Sequence, residues 1–207
     1  MPARLRLTVV VVVFLAVGAL GVVLVAARSG TGAAEPEAFA GALRPPGIAP
    51  SDFSLSDQDG RPASLGAYRG QVVVLTFLYS HCRDTCPVTT QQVRGALDDL
   101  GHQVPTLAVS VDPAHDTPDS ARAFLVEQHM SGRMRFLLGS PRQLAPIWQT
   151  YGVQGQGPGR GPRSDHSAYV ILLDRQGRQR IGFPAQELTP EGLAHDIRRL
   201  AAERSSA

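Results

Sequence analysis

The chain has 207 residues, 43% hydrophobic and 18% charged, which suits one soluble domain with an appendage. All 20 basic residues are arginine; 17 of them follow Arg28, together with all 18 acidic residues, so that part carries a formal net charge of −1. No basic stripe remains there to suggest a nucleic-acid partner.

The appendage comes first. Leu7 to Ala27 is a run of 21 residues without a charge. As a helix it would extend about 32 Å, enough for a bilayer core. Arg4 and Arg6 precede it, so the N-terminus should stay in the cytoplasm and the rest should cross. The run exceeds the roughly 7–15 apolar residues of a signal peptide, and no cysteine nearby can accept a lipid. It therefore reads as an uncleaved anchor rather than a cleaved signal, although Val25-Ala26-Ala27 resembles a cleavage site. Residues 1–28 are thus read as stub and transmembrane anchor, 29–50 as a Gly-, Ala- and Pro-rich spacer, and 51–207 as the domain.

Phe53 and Leu55 alternate with polar residues up to Asp57-Gln58-Asp59-Gly60. The Asp-Gly pair is a hairpin signal, so the domain should open on a small β-hairpin. The apolar run Val72–Leu78 reads as a buried strand, and Val93, Ala96, Leu97 and Leu100 mark one face of a helix. Between them lies Tyr79-Ser80-His81-Cys82-Arg83-Asp84-Thr85-Cys86-Pro87, which holds both cysteines of the protein. The spacing predicts a strand-to-helix turn with Pro87 as the first helical residue. Free N–H groups and the positive end of the helix dipole favour thiolate there.

Two sulfurs at such a position can close as a disulfide, bind a soft metal, or remain inert thiols. A structural staple is disfavoured by loop entropy. Closing a five-residue ring gives roughly 2 kcal/mol, against about 4.7 for a hundred-residue loop. Redox or metal chemistry is the better use of the only pair. An exported domain lies in an oxidising compartment, so a metal-binding role requires something to keep the pair reduced.

Further along, Gly101 is a stop for the cysteine helix. Leu107–Val111 is a second buried strand. Asp112 to Asp119 forms a polar loop and a helix start, with Thr117 capping and Pro118 first in the helix. Arg135–Leu138 reads as a short strand. Ser140-Pro141 opens a third helix that Pro146 interrupts, which places its true start later. Gln154–Arg163 is a Gly- and Pro-rich loop, Ala168–Leu173 an apolar strand, and Asp174–Gly177 a turn into Arg180–Phe183. Thr189-Pro190 caps the last helix. Strands alternating with helices, then a strand pair and a closing helix, predict an α/β sandwich on a mixed sheet, with the thioredoxin arrangement the economical choice.

Of six histidines, His166 stands out, because it opens the strand whose start faces the cysteine turn in a thioredoxin-like sheet. Many redox members of that fold have a cis-proline in this region, and none lies between Arg163 and Leu173. Two thiolates and one imidazole would make a soft set suited to Cu(I) and tolerable for Cu(II) or Zn. His81 is read as shaping the turn rather than favouring the Cys82 thiolate, Asp112 and Asp116 as turn and cap residues rather than groups supporting the metal ligands from behind, His102, His115, His129 and His195 as surface residues, and Trp148 and Tyr151 as core.

Three blocks carry a resemblance: Ser80–Pro87, Val109–Pro118 and Asp165-His166-Ser167. In order and spacing they resemble the Sco/SenC family of membrane-anchored copper proteins of cytochrome c oxidase assembly, over roughly residues 50–200. The resemblance implies a thioredoxin-like fold in which Cys82, Cys86 and His166 bind copper, as Cu(I) or Cu(II). The function it implies is a metallochaperone delivering copper to the binuclear centre of oxidase subunit II. It would be anchored in the cell membrane by one span, with the C-terminal domain on the extracytoplasmic side. The alternative is a thiol-disulfide oxidoreductase that reduces the cysteines of that centre; either role needs a thiol reductant for Cys82 and Cys86. An exported peroxidase of related fold is disfavoured because no separate resolving cysteine exists. Arg83 stands where the family often has proline, which brings a cation near the sulfurs.

Overall fold

A computed structural model describes residues 38–46, 48, 52–153 and 169–203. The apolar run 7–27 and His166 lie outside these residues. Among the described residues, no helix is long and apolar enough to cross a membrane.

The strands are β1 (Ala42–Leu43), β2 (Ser54–Asp57), β3 (Pro62–Ser64), β4 (Val73–Leu78), β5 (Thr106–Ser110), β6 (Arg135–Leu138), β7 (Tyr169–Leu173) and β8 (Gln179–Pro184). The helices are α1 (Thr85–Leu100), α2 (Pro118–Glu127), α3 (Pro141–Tyr151) and α4 (Pro190–Ala202), with a 3-10 turn at Leu65–Tyr68. The described strands form one sheet in the order β1-β8-β7-β4-β5-β6-β2-β3. β4, β5 and β6 run parallel and every other pairing is antiparallel, so the sheet is mixed as expected.

β4 is central and buried along its whole length. Its side chains alternate between faces with the two-residue period of a strand. Val74 and Leu78 join a core with Val93 and Leu97 of α1, Phe124 of α2 and Leu193 and Ile197 of α4. Val73, Leu75 and Phe77 join a second core with Leu144, Ile147 and Tyr151 of α3 and with Phe53 and Leu55 of β2. A strand covered on both faces needs no polar alternation, which is why its sequence is a plain apolar run.

The expected N-terminal hairpin is β2–β3. Asp57 accepts from the amide of Gly60, whose φ of 76° suits a residue without Cβ. The hairpin pairs with β6 at the far edge of the sheet. Gly101, at φ 69°, ends α1, and Thr117 caps α2 ahead of Pro118 as the spacing predicts.

Three details differ from expectation. α1 begins at Thr85 with Asp84 as its cap, two residues before Pro87. Asp84 is the better cap because its side chain accepts the Thr85 amide, and Pro87 still falls in the first turn, where a missing N–H costs nothing. α3 begins at Pro141 and runs through Pro146 without a break. The carbonyl that Pro146 leaves without a helical partner is that of Arg142, and both residues are exposed, where losing one helical bond costs least. Finally, Ala42 and Leu43, within the stretch read as spacer, pair with Gly182 and Ile181. The fully buried Asp196 draws this strand in by accepting the amides of Ala40 and Gly41, each at 2.9 Å.

Candidate metal and thiol site

Cys82 lies in the turn between β4 and α1, and Cys86 is the second residue of the helix. Both are free thiols, 6% and 1% exposed. The N-terminal N–H groups of α1 are shared out sparsely. The Thr85 amide is taken by Asp84, Pro87 has none, and the Val88 amide lies 3.5 Å from the Asp84 carbonyl. That leaves the Cys86 amide, which donates to Cys82 Sγ at 3.2 Å. One sulfur thus receives the N–H that the helix start has to spare.

The two sulfurs are electrostatically unequal. The hydrogen bond from the Cys86 thiol, helped by the amides of Asp84 and Cys86 and by the Tyr79 hydroxyl, brings Cys82 down to about 6 against the opposing effect of burial. The hydrogen bond to Cys82, then burial and the neighbouring negative charge, push Cys86 far above the ordinary thiol range. Burial and the bond to Cys82 likewise raise the Tyr79 phenol, which keeps its proton. At neutral pH Cys82 is the thiolate and Cys86 the thiol that supports it. Asp84 Oδ1 lies 3.4 Å from Cys82 Sγ and holds its proton when there is one. Cys82 opens on a cleft lined by Ser80, His81, Arg83, Pro87, Glu127 and Gln128.

Behind the turn stands a carboxylate for which the sequence favoured a turn or cap role over support of the site from behind. Asp116 Oδ1 accepts the amide of Ser80 at 2.8 Å and its hydroxyl at 2.7 Å, and Asp116 Oδ2 accepts the Ser110 hydroxyl at 2.5 Å. Burial pushes its carboxyl up, and the bonds from Ser110 and Ser80 oppose the rise. The signal available in sequence was the order Asp116-Thr117-Pro118. A helix needs one cap, and Thr117 already serves, which leaves Asp116 with its hydrogen-bonding capacity unspent.

Other sequence candidates fall as follows. His81 is exposed, with Nδ1 3.1 Å from Ser80 Oγ, and serves the turn. Asp112 pairs with the exposed His115 at 2.9 Å. His102 and His129 are exposed, whereas His195 is half-buried with Nδ1 2.8 Å from Asp196. Tyr151 packs on Phe77 in the core, and the Trp148 indole donates to the Ser110 carbonyl at 2.9 Å.

Cys82 and Cys86 offer a soft metal two sulfur ligands, and Cu(I) tolerates two-sulfur coordination. Among the described residues, no group of three or more His, Cys, Asp and Glu side chains could hold a metal. A third ligand would therefore come from outside them. The register bears on where: Thr76 of β4 pairs with Val170 of β7, and its hydroxyl donates to the Tyr169 carbonyl at 3.2 Å. The chain thus enters β7 at the cysteine end of β4.

The sequence profile of a family described as SCO1/SenC matches residues 42–202. Among curated relatives, the mitochondrial protein SCO2 homolog of Bos taurus is 30% identical over 79% of this chain and 64% of its own length. The chain thus spans slightly less than two thirds of that protein. Among solved structures, apo Sco1 from Thermus thermophilus superposes with a TM-score of 0.64 at 27% identity, covering 80% of this chain and 99% of that one. ScoI of Bradyrhizobium japonicum with copper bound gives a TM-score of 0.59 at 29% identity, covering 72% of this chain and 98% of that one.

Proposed function

The chain belongs to the SCO1/SenC family, and we propose that its thioredoxin-like domain carries copper as cargo, held by Cys82, Cys86 and His166, for delivery to subunit II of cytochrome c oxidase. The Sco proteins are a family of cytochrome c oxidase assembly proteins. The observation that carries the reading is the pair itself: a stabilised Cys82 thiolate and an adjacent Cys86 thiol at a helix start, opening on a cleft. The similarity to a copper-bound ScoI supports the choice of metal. His166 lies three residues before Tyr169, within about 10 Å of chain length, and the pairing of β4 with β7 supports its reach to the sulfurs. Delivery is from the membrane, through the apolar run Leu7–Ala27, with the domain on the extracytoplasmic side.

Copper supplies a soft cation whose binding replaces the thiol proton of Cys86. Cys82 meets it first because its sulfur is already ionised, and the Cys86 amide takes back the freed thiolate when the cargo leaves. A Cys82–Cys86 disulfide offers no thiolate, so a thiol reductant has to keep the pair open for loading.

The lowered Cys82 also favours a second reading, in which the pair reduces the client's disulfide. Cys82 thiolate attacks one client sulfur and releases the other as thiolate. Cys86, losing its proton, then attacks Cys82 Sγ and frees the client, two electrons having passed to it. His166→Ala separates the readings. Chaperone action predicts that the variant keeps part of its Cu(I), loses Cu(II) and fails to mature oxidase at limiting copper, with disulfide exchange nearly unchanged. Normal oxidase maturation by this variant would move the assignment to the reductase. Anaerobic loading of reduced protein should give one copper per chain, and none in Cys82→Ser or Cys86→Ser.

A further inference from the structure

We propose that Asp116 is the positioning residue of the cysteine turn, fixing Cys82 Sγ by joining Ser80 to the end of β5. The proposal rests on Cys82 and Cys86 being the reactive pair and is independent of whether copper is the cargo.

The turn from Tyr79 to Asp84 must stop in one place for Cys82 Sγ to meet the Cys86 amide. Inside the turn a backbone bond, Cys82 amide to Tyr79 carbonyl, is 3.2 Å long. The stronger hold comes from outside. Asp116 takes two hydrogens from Ser80 and one from Ser110, three of the roughly four that a carboxylate can accept. Ser110 is fully buried at the end of β5, and its carbonyl is fixed in turn by the Trp148 indole. The next residue, Val111, donates to the Leu78 carbonyl at 2.9 Å, so the ends of β4 and β5 are joined at Leu78 as well as through Ser80.

Helix formation does not explain this carboxylate. Thr117 Oγ1 accepts the Ser120 amide and Ser120 Oγ accepts the Thr117 amide, which completes the cap of α2 without Asp116. Asp116 is only 9% exposed, and a carboxylate loses much of its hydration at such a site. All of its side-chain bonds run to Ser80 and Ser110, two residues before Cys82 and at the neighbouring strand end. A shift of the turn by about 1 Å would part Cys82 Sγ from the Cys86 amide. The role is one of hydrogen-bond geometry. Asparagine can repeat it, with its carbonyl oxygen facing Ser80 and its amide group facing Ser110 Oγ, whereas alanine cannot.

The test equilibrates the full chain with mixtures of reduced and oxidised glutathione. Cys82 thiolate attacks glutathione disulfide and releases one glutathione thiolate. Cys86, losing its proton, then attacks Cys82 Sγ and releases the second, two electrons passing to glutathione. Asp116→Ala should shift this equilibrium at least tenfold toward the disulfide, because the reduced form loses the bond that favours its thiolate. Asp116→Asn should stay within threefold of the parent. An alanine variant within threefold of the parent, or an asparagine variant shifted as far as alanine, overturns the proposal. If Asp116→Ala does not fold, Ser80→Ala and Ser110→Ala decide: both must move threefold or more toward the disulfide, and an unmoved equilibrium in either overturns it. Failure to bind copper would count against the chaperone reading and leave this result standing.

Discussion

At the scale of single residues, the site depends on two cysteines made different by their surroundings. Cys82 has the Cys86 amide at 3.2 Å, and Cys86 is almost fully enclosed. Alkylation of Cys82 by iodoacetamide should therefore titrate with a midpoint near 6 and level off above neutrality, since only the thiolate reacts. Below the midpoint the rate should fall about tenfold per pH unit, following the thiolate fraction. Cys86 should stay unlabelled across the same range. Because the Cys86 thiol is the largest source of the lowering, Cys86→Ala should move the Cys82 midpoint upward, read as the rate profile from pH 5 to 9. The pair and its helix-start position were legible in the sequence because both follow from local order: apolar run, turn, periodic face. The partners of Asp116 were not, because they lie 36 residues and six residues away and meet it only when β4 and β5 are side by side, so a turn or cap role was favoured for it.

At the scale of elements, the departures from expectation each have a local cause and a measurable consequence. Pro146 sits inside α3, where proline is about 3 kcal/mol less favourable than alanine. Its restriction of the unfolded chain returns up to about 1 kcal/mol. Pro146→Ala should therefore stabilise the domain by about 2 kcal/mol, seen as a higher urea midpoint at unchanged slope. A continuing helix was hard to read through a proline because the sequence does not state that Arg142, whose carbonyl loses its partner, faces water. β1 was hidden for another reason. Two residues carry no period, and the strand exists because Asp196 accepts two amides and the Phe39 ring lies 4.5 Å from the Arg199 guanidinium. Asp196→Ala should free this strap while leaving β4–β8 in place. Chymotrypsin should then cut after Phe39 at least tenfold faster, with little change in the far-ultraviolet circular dichroism of the domain.

At the scale of the whole molecule, the sheet explains why a small turn can hold two thiols so steadily. β4 is enclosed by neighbours on either side and by helices on both faces, so the turn that follows it starts from one of the most buried points of the fold. The architecture itself was readable from the alternation of strands and helices. The order of its edges was not, because β2 joining β6 and β1 joining β8 are long-range pairings without local trace. The inequality of the sulfurs also has a consequence for acid balance. With Cys82 down at about 6, roughly nine-tenths of that sulfur has already given up its hydrogen ion at pH 7, while Cys86 has kept its own. Loading one Cu(I) onto both sulfurs should thus liberate about one hydrogen ion per chain at pH 7, and about two near pH 5. Calorimetric titrations in buffers of different ionisation enthalpy count these ions directly. A release of two at neutrality would mean that Cys82 still holds its hydrogen ion there, against a midpoint near 6.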